Sequence, residues 1–254
     1  MKLLKAMAIA FSIYSKIPVP QFEWKEEDME YMMCFFPWIG GVIGLFFFGW
    51  AVLCEKFAVG NVCYALIGAA IPLMISGGFH VDGYMDTMDA FHSYQSREKK
   101  LEILKDSHIG AFAAIMLALY YMIDIAAISE IHTQKAVSAL AAVFFLARCF
   151  SGIAVMTLQP AKKEGLLYTF ASSAQKVRVK AALYFQAALC VVLMLLVSGW
   201  YGAAAIGAAL LSFFYFKKKS YKELGGITGD TAGFFVTVCE AAAAAAVAMA
   251  GYFL

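Results

Sequence analysis

Three aspartates, Asp82, Asp86 and Asp89, stand at i, i+4 and i+7. On an α-helix those positions fall within roughly 60° of one another, on one face. Folding gains nothing from that arrangement. Two charges about 6 Å apart at an effective dielectric near 20 repel by roughly 3 kcal/mol. A divalent cation removes the cost, and hard oxygen donors without cysteine suit Mg²⁺ or Mn²⁺. Mg²⁺ takes one or two carboxylates and completes its shell with water and substrate phosphate. The chemistry expected of this face is a metal-dependent phosphate or diphosphate site. A solvated acidic face at a membrane–loop boundary would carry the same residues.

The triad belongs to a polar island, GGFHVDGYMDTMDAFHSYQSREKKLEILKDSHIG, at positions 77–110. The island holds Asp82, Asp86, Asp89, Glu98, Glu102 and Asp106, one third of the 18 acidic residues, and His80, His92 and His108. It abuts an uncharged run at 57–81. Glu102, Lys105 and Asp106 form a second cluster on one helical face.

The elements that must position these groups are membrane helices. The 254 residues are 63% hydrophobic and 15% charged, against about a quarter charged in soluble domains. We expect an all-α polytopic bundle and a single domain, 1–254. The net charge of +2 offers nothing to nucleic acid. The cysteines, at 34, 54, 63, 149, 190 and 239, lie in apolar stretches without C-x-x-C spacing and read as packing residues. Residues 3–14 are too short to span and predict an interfacial or re-entrant helix ended by Pro18 and Pro20. No cleavable signal is evident. About seven spans are expected, at 31–54, 57–79, 109–129, 136–158, 181–198, 202–216 and 231–254. The fifth and sixth divide one uncharged run at a turn near Gly199 and Gly202. Gly40, Gly41, Gly44 and Gly49 in the first span allow close helix contacts.

With a cytoplasmic N-terminus, segments 1–30, 80–108, 159–180 and 217–230 carry 17 of the 20 Lys and Arg. That asymmetry predicts their cytoplasmic placement. It brings the acidic island and the segment 217–230 to one side. Three charges fall within spans: Asp124, Arg148 and Glu240. Arg148 is expected either to pair with Glu240 or to reach a cytoplasmic cavity and bind phosphate.

A second motif, LGGITGDT at 224–231, follows Lys217, Lys218, Lys219 and Lys222. Its glycines let backbone N–H groups approach an anion, and Asp230 can cap the last helix. A plain glycine turn beside a positive-inside cluster explains the same residues.

Taken together, GGFHVDGYMDTMDAFHS, Arg97, LEILKDSHIG and LGGITGD resemble the adenosylcobinamide-GDP ribazoletransferases, or cobalamin (5′-phosphate) synthases. IPVP at 17–20 and Arg148 followed by EGLL at 164–167 resemble them too. Ala90 and Leu104 depart from the family's usual glycine and methionine without removing a polar group. The resemblance implies a Mg²⁺-dependent enzyme of the bacterial cytoplasmic membrane, its site facing the cytoplasm. It would move phosphocobinamide from adenosylcobinamide-GDP to α-ribazole or its 5′-phosphate and release GMP. On that basis Asp82, Asp86 and Asp89 would hold Mg²⁺, with Mn²⁺ as a substitute. Arg97, Lys105 and Arg148 would contact phosphate. Asp106 or Glu102 would accept the acceptor's proton. Gly225, Gly226, Thr228 and Asp230 would complete the nucleotide pocket. The implied partners are the two substrates, the lipid bilayer and, as an open expectation, a second copy of the chain. A CDP-alcohol-type phosphotransferase and a transporter are the rival readings. The former's DG…AR…G…D…D pattern is not found, and the latter's inverted repeat is not evident.

Overall fold

In a computed structural model, residues 2–20, 23, 25–162, 167, 169 and 174–253 are described. The expected EGLL segment lies mostly outside them. Ten helices are defined here: α1 (Lys2–Tyr14), α2 (Phe36–Phe57), α3 (Asn61–Ser76), α4 (Phe79–His92) and α5 (Arg97–Ile103), followed by α6 (Ala111–Ile128), α7 (Gln134–Thr157), α8 (Lys176–Ser198), α9 (Trp200–Leu224) and α10 (Gly229–Gly251). Among the described residues the only β-type contact is a parallel bridge between Pro160 and Ile227. Side chains start the helices where the sequence offers them. Ser96 accepts from the Lys99 N–H at α5, and Thr133 accepts from the Ala136 N–H at α7. Thr228 and Thr231 form a reciprocal cap on α10.

Among the described residues, five helices are long and apolar enough to cross a membrane: α2, α6, α7, α8 and α10. The pair α3 and α4 makes a sixth when counted together, and is bent by 97°. By length and composition that makes five or six, beside the expectation of about seven. The expected span at 202–216 is the first part of α9, whose apolar run is shortened by Trp200, Tyr201 and Gly202 at its start and by the lysines at 217–219. The break between α8 and α9 falls at Gly199, as the turn signal required. The 13-residue α1 is about 20 Å long, shorter than the roughly 30 Å hydrocarbon core.

The centre of the bundle is α7 with α10. Helix α7 packs on α2, α8, α9 and α10, and α10 also meets α4 and α6. Gly40 and Gly44 of α2 lie directly on the α7 backbone, where an added Cβ would stand 2.0 Å from the Phe144 carbonyl oxygen and 2.2 Å from that of Ala141. Gly41 and Gly49 make no such approach. In the alanine run, Ala241, Ala243 and Ala244 are buried. Large apolar side chains such as Leu45, Phe46, Leu196 and Leu211 are exposed on the outer helices, as lipid contact requires.

The bend between α3 and α4 sets up everything that follows. Gly77 and Gly78 both hold left-handed backbone, φ 65° and 85°, which residues with a Cβ adopt only with strain. The chain therefore turns off the end of α3 and lays α4 across the bundle, against the first turns of α10.

Candidate active site

Helix α4 meets α10 backbone to backbone. A Cβ added at Gly83 would stand 2.8 Å from the Asp230 carbonyl oxygen, and one at Gly233 would stand 3.0 Å from that of His80. Only hydrogen at these two positions lets the helices approach so closely. The approach sets Asp82 and Asp230 in the wall of one cavity of about 460 Å³. Asp86, one turn beyond Asp82, lies in the field of Asp82, Asp230 and Asp89. Four carboxylates from the two motifs are thus electrostatically coupled.

Cations face them. Lys105, after α5, and Lys162, in the loop after α7, line the same cavity. Lys162 is brought there by pairing between two distant loops. The Ile227 N–H donates to the Gln159 carbonyl (3.0 Å) and the Ala161 N–H to the Ile227 carbonyl (2.8 Å). The Gln159 N–H donates to the Tyr221 hydroxyl (2.8 Å). Lys162 Nζ itself donates to the Leu101 carbonyl (2.9 Å), tying the loop to α5. Helix α5 is clamped to α9 by a Lys100–Glu223 ion pair, with Lys219 on the other carboxylate oxygen of Glu223 at 3.0 Å. These two lysines hold the Glu223 carboxyl below its ordinary range. The rear wall is aromatic: Tyr14, Phe36, Phe79 and His80.

The expected site residues divide. Asp82, Lys105, Thr228 and Asp230 line the cavity. Gly225 and Gly226 do not line it but shape its edge. Gly225, at φ 72°, lies under the Arg97 guanidinium, which would stand 2.2 Å from an added Cβ, so Arg97 joins the acidic island to the glycine turn. Gly226 is packed on the backbone of 159–161.

Four of the expected residues stand away from the cavity. Asp89 is turned away from the cavity. Its Oδ2 accepts from the Gly110 N–H (2.7 Å) and its Oδ1 from the Ala113 N–H (2.8 Å), so it caps α6. Arg148 is 1% exposed and does not reach the cavity; its Nη1 donates to Glu240 Oε1 (2.7 Å) and to the Phe144 carbonyl (2.7 Å). Of its two expected roles, the pairing is the one observed. Glu102 is on the surface with Lys99 (2.7 Å). Asp106 is on the surface with His108, whose ring Nδ1 lies 2.6 Å away and whose backbone N–H also donates to it. Those hydrogen bonds hold the Asp106 carboxyl below its usual range and make it a weaker base.

Sequence reasoning missed Lys162 and His80. Lys162 looked like one more cytoplasmic-loop cation, and only the 160–227 bridge reveals its destination. His80 is packed among Tyr14, Phe36 and Phe79, and neither ring nitrogen has a hydrogen-bond partner among the described residues.

No three His, Cys, Asp or Glu side chains among the described residues converge closely enough to hold a metal ion by themselves. The donor set nevertheless suits a hard cation bound in the manner of Mg²⁺, through one or two carboxylates with phosphate and water completing the shell.

No solved structure matches this chain. Among curated proteins, an adenosylcobinamide-GDP ribazoletransferase from Lachnoclostridium phytofermentans is 44% identical over 98% of this chain and 95% of its own length. One from Clostridium botulinum is 31% identical over 94% of both chains. One from Azorhizobium caulinodans is 30% identical over 95% of this chain and 94% of its own. The family model described as cobalamin-5-phosphate synthase matches residues 6–248, and a match spanning the bundle and every element of the cavity places the chain in the cobalamin-5-phosphate synthase family.

Proposed function

We propose that this chain transfers the phosphocobinamide part of adenosylcobinamide-GDP to α-ribazole or its 5′-phosphate. The products are adenosylcobalamin, or its 5′-phosphate, and GMP. The observation that carries the reading is a single cavity in which Asp82 and Asp230 face Lys105 and Lys162, in a chain whose relatives bear the name of that activity.

The reaction breaks one phosphoanhydride and makes one phosphodiester. An acceptor hydroxyl oxygen attacks the phosphorus on the cobinamide side. The bond from that phosphorus to the bridging oxygen breaks, and GMP leaves with the electron pair. Lys105 and Lys162 hold the diphosphate oxygens and offset the negative charge that grows on GMP. Asp82 and Asp86 would hold Mg²⁺, which when bound polarises the phosphoryl oxygens. Asp230, on the helix packed directly against that of Asp82, takes the acceptor's proton. Arg97 steadies the glycine turn, and the turn in turn positions Thr228 and Gly229 at the cavity wall. The lysine- and arginine-rich segments support a cavity that faces the cytoplasm of a bacterial membrane.

The decisive assay uses purified protein with adenosylcobinamide-GDP, α-ribazole and Mg²⁺. GMP and a completed corrinoid should appear together. Their absence, with the donor bound and the protein folded, would refute the reading.

A further inference from the structure

We propose that a second cavity seats the nucleoside acceptor, and that Asp82 is the point where acceptor and donor meet. The proposal rests on the transferase reading above and adds where the second substrate lies. This cavity, about 520 Å³, opens between the end of α1, the α3–α4 bend and α6. Phe79 and Asp82 belong to the walls of both cavities. Tyr14 stands on the first cavity's side and packs edge-on against Phe79 at 5.1 Å.

The two cavities differ in chemistry. The first has two lysines and the glycine turn, which suit a diphosphate. In the second, Phe79, Met85, Leu117 and Tyr121 supply apolar lining while Ser12 and Asp82 supply polar lining; Ser15 and Ser76 line it too, with their hydroxyls donating to the Phe11 and Pro72 carbonyls. A nucleoside has the same division: a flat apolar base on one side and a hydroxyl-bearing sugar on the other. Lys16, at this cavity, lays its aliphatic stem over Gly77, where a Cβ would stand 2.4 Å from its Cε. The volume falls within the range of about 300–1,000 Å³ usual for small-ligand sites. A lipid chain would match the apolar lining but would press the Asp82 carboxylate against hydrocarbon. Group transfer needs the reacting atoms about 3–3.5 Å apart, so the acceptor's hydroxyl end must reach past Asp82 into the first cavity, where Asp230 stands.

Ser12→Trp, at an exposed rim position, and Leu117→Trp, from α6, each fill the second cavity from a different helix. Purified full-length variants that melt like the wild type are titrated with α-ribazole and, separately, with GDP. Each variant should lose α-ribazole affinity by about tenfold or more while its GDP affinity stays unchanged, and its KM for α-ribazole should rise in step. Unchanged α-ribazole affinity in both variants overturns the proposal and leaves the groove to lipid. Parallel loss of both affinities overturns it too, because the seats are then not separate. If the wild type binds neither GDP nor α-ribazole, the transferase reading fails first and takes this proposal with it.

Discussion

Asp82 and Asp89 stand on one face of α4, seven residues apart, yet their neighbours differ. Asp82 lines both cavities, while both carboxylate oxygens of Asp89 accept backbone N–H groups at the start of α6. Alanine should separate the two. Asp82→Ala should fold normally and lose about 10² to 10³ in turnover, the scale of one pre-organised electrostatic contact. Asp89→Ala should cost about 0.5–2 kcal/mol of stability through the lost cap, and added Mg²⁺ should not restore it. Melting and turnover measured on the same preparations decide the matter. An Asp89→Ala protein with wild-type melting and no activity would contradict its assignment as a cap. Glu102→Gln and Asp106→Asn, both at surface ion pairs, should keep wild-type turnover.

At the scale of elements, two ion pairs hold the site from different sides. Arg148 on α7 and Glu240 on α10 are buried together. Removing one partner leaves a buried charge and should cost about 3–5 kcal/mol, whereas replacing both by apolar groups is often neutral. Arg148→Met and Glu240→Leu should each lower the melting temperature, and the double variant should recover much of it. Additive losses would show that the pair is not a unit. The Lys100–Glu223 clamp answers to pH. The folded-state pKa of Glu223 lies below its ordinary value of 4.5, so the clamp's contribution is fully present above about that pH. It is lost as pH falls through the depressed folded-state value. The hydrogen-exchange protection factor across 97–103, which divides out the intrinsic pH dependence, should fall in that acid window. Lys100→Ala should lower it at neutral pH and flatten the response. A protection factor that does not change with pH in the wild type would rule the clamp out.

The helical face of Asp82, Asp86 and Asp89 was legible in the sequence, because period 3.6 alone decides it. The break at Gly199 was legible from one overlong apolar run. What each aspartate faces was not, because a face about 60° wide touches α6 at one end and α10 at the other. Lys162 was illegible for a related reason. Its place depends on the bridge from Pro160 to Ile227, 67 residues away in sequence, and no local pattern encodes a contact at that range. The span expected at 202–216 was harder to delimit, because Trp200, Tyr201, Gly202 and Gly207 at one end of α9 and the lysines at the other leave a short apolar run.

The molecule as a whole concentrates its chemistry at one end. The end of α1, the α3–α4 bend, the loop after α7 and the start of α10 all contribute to one cavity wall or the other. The segments that carry these groups also hold most of the Lys and Arg, while Lys56 and Lys135 sit at the connections α2–α3 and α6–α7. Positive charge favours the cytoplasmic side, so the fold and the charge asymmetry make one statement about sidedness. Single cysteines at Gln95, Lys218 and Lys135, all exposed, test it in a background with the exposed Cys63 replaced by alanine. A membrane-impermeant maleimide added to intact cells should label Lys135→Cys and spare Gln95→Cys and Lys218→Cys. Inverted vesicles should reverse the pattern. Labelling of 95 and 218 from opposite faces would separate the acidic island from the glycine turn and refute the shared cavity. Labelling of both from outside would keep the cavity but turn it to the wrong compartment for substrates made in the cytoplasm.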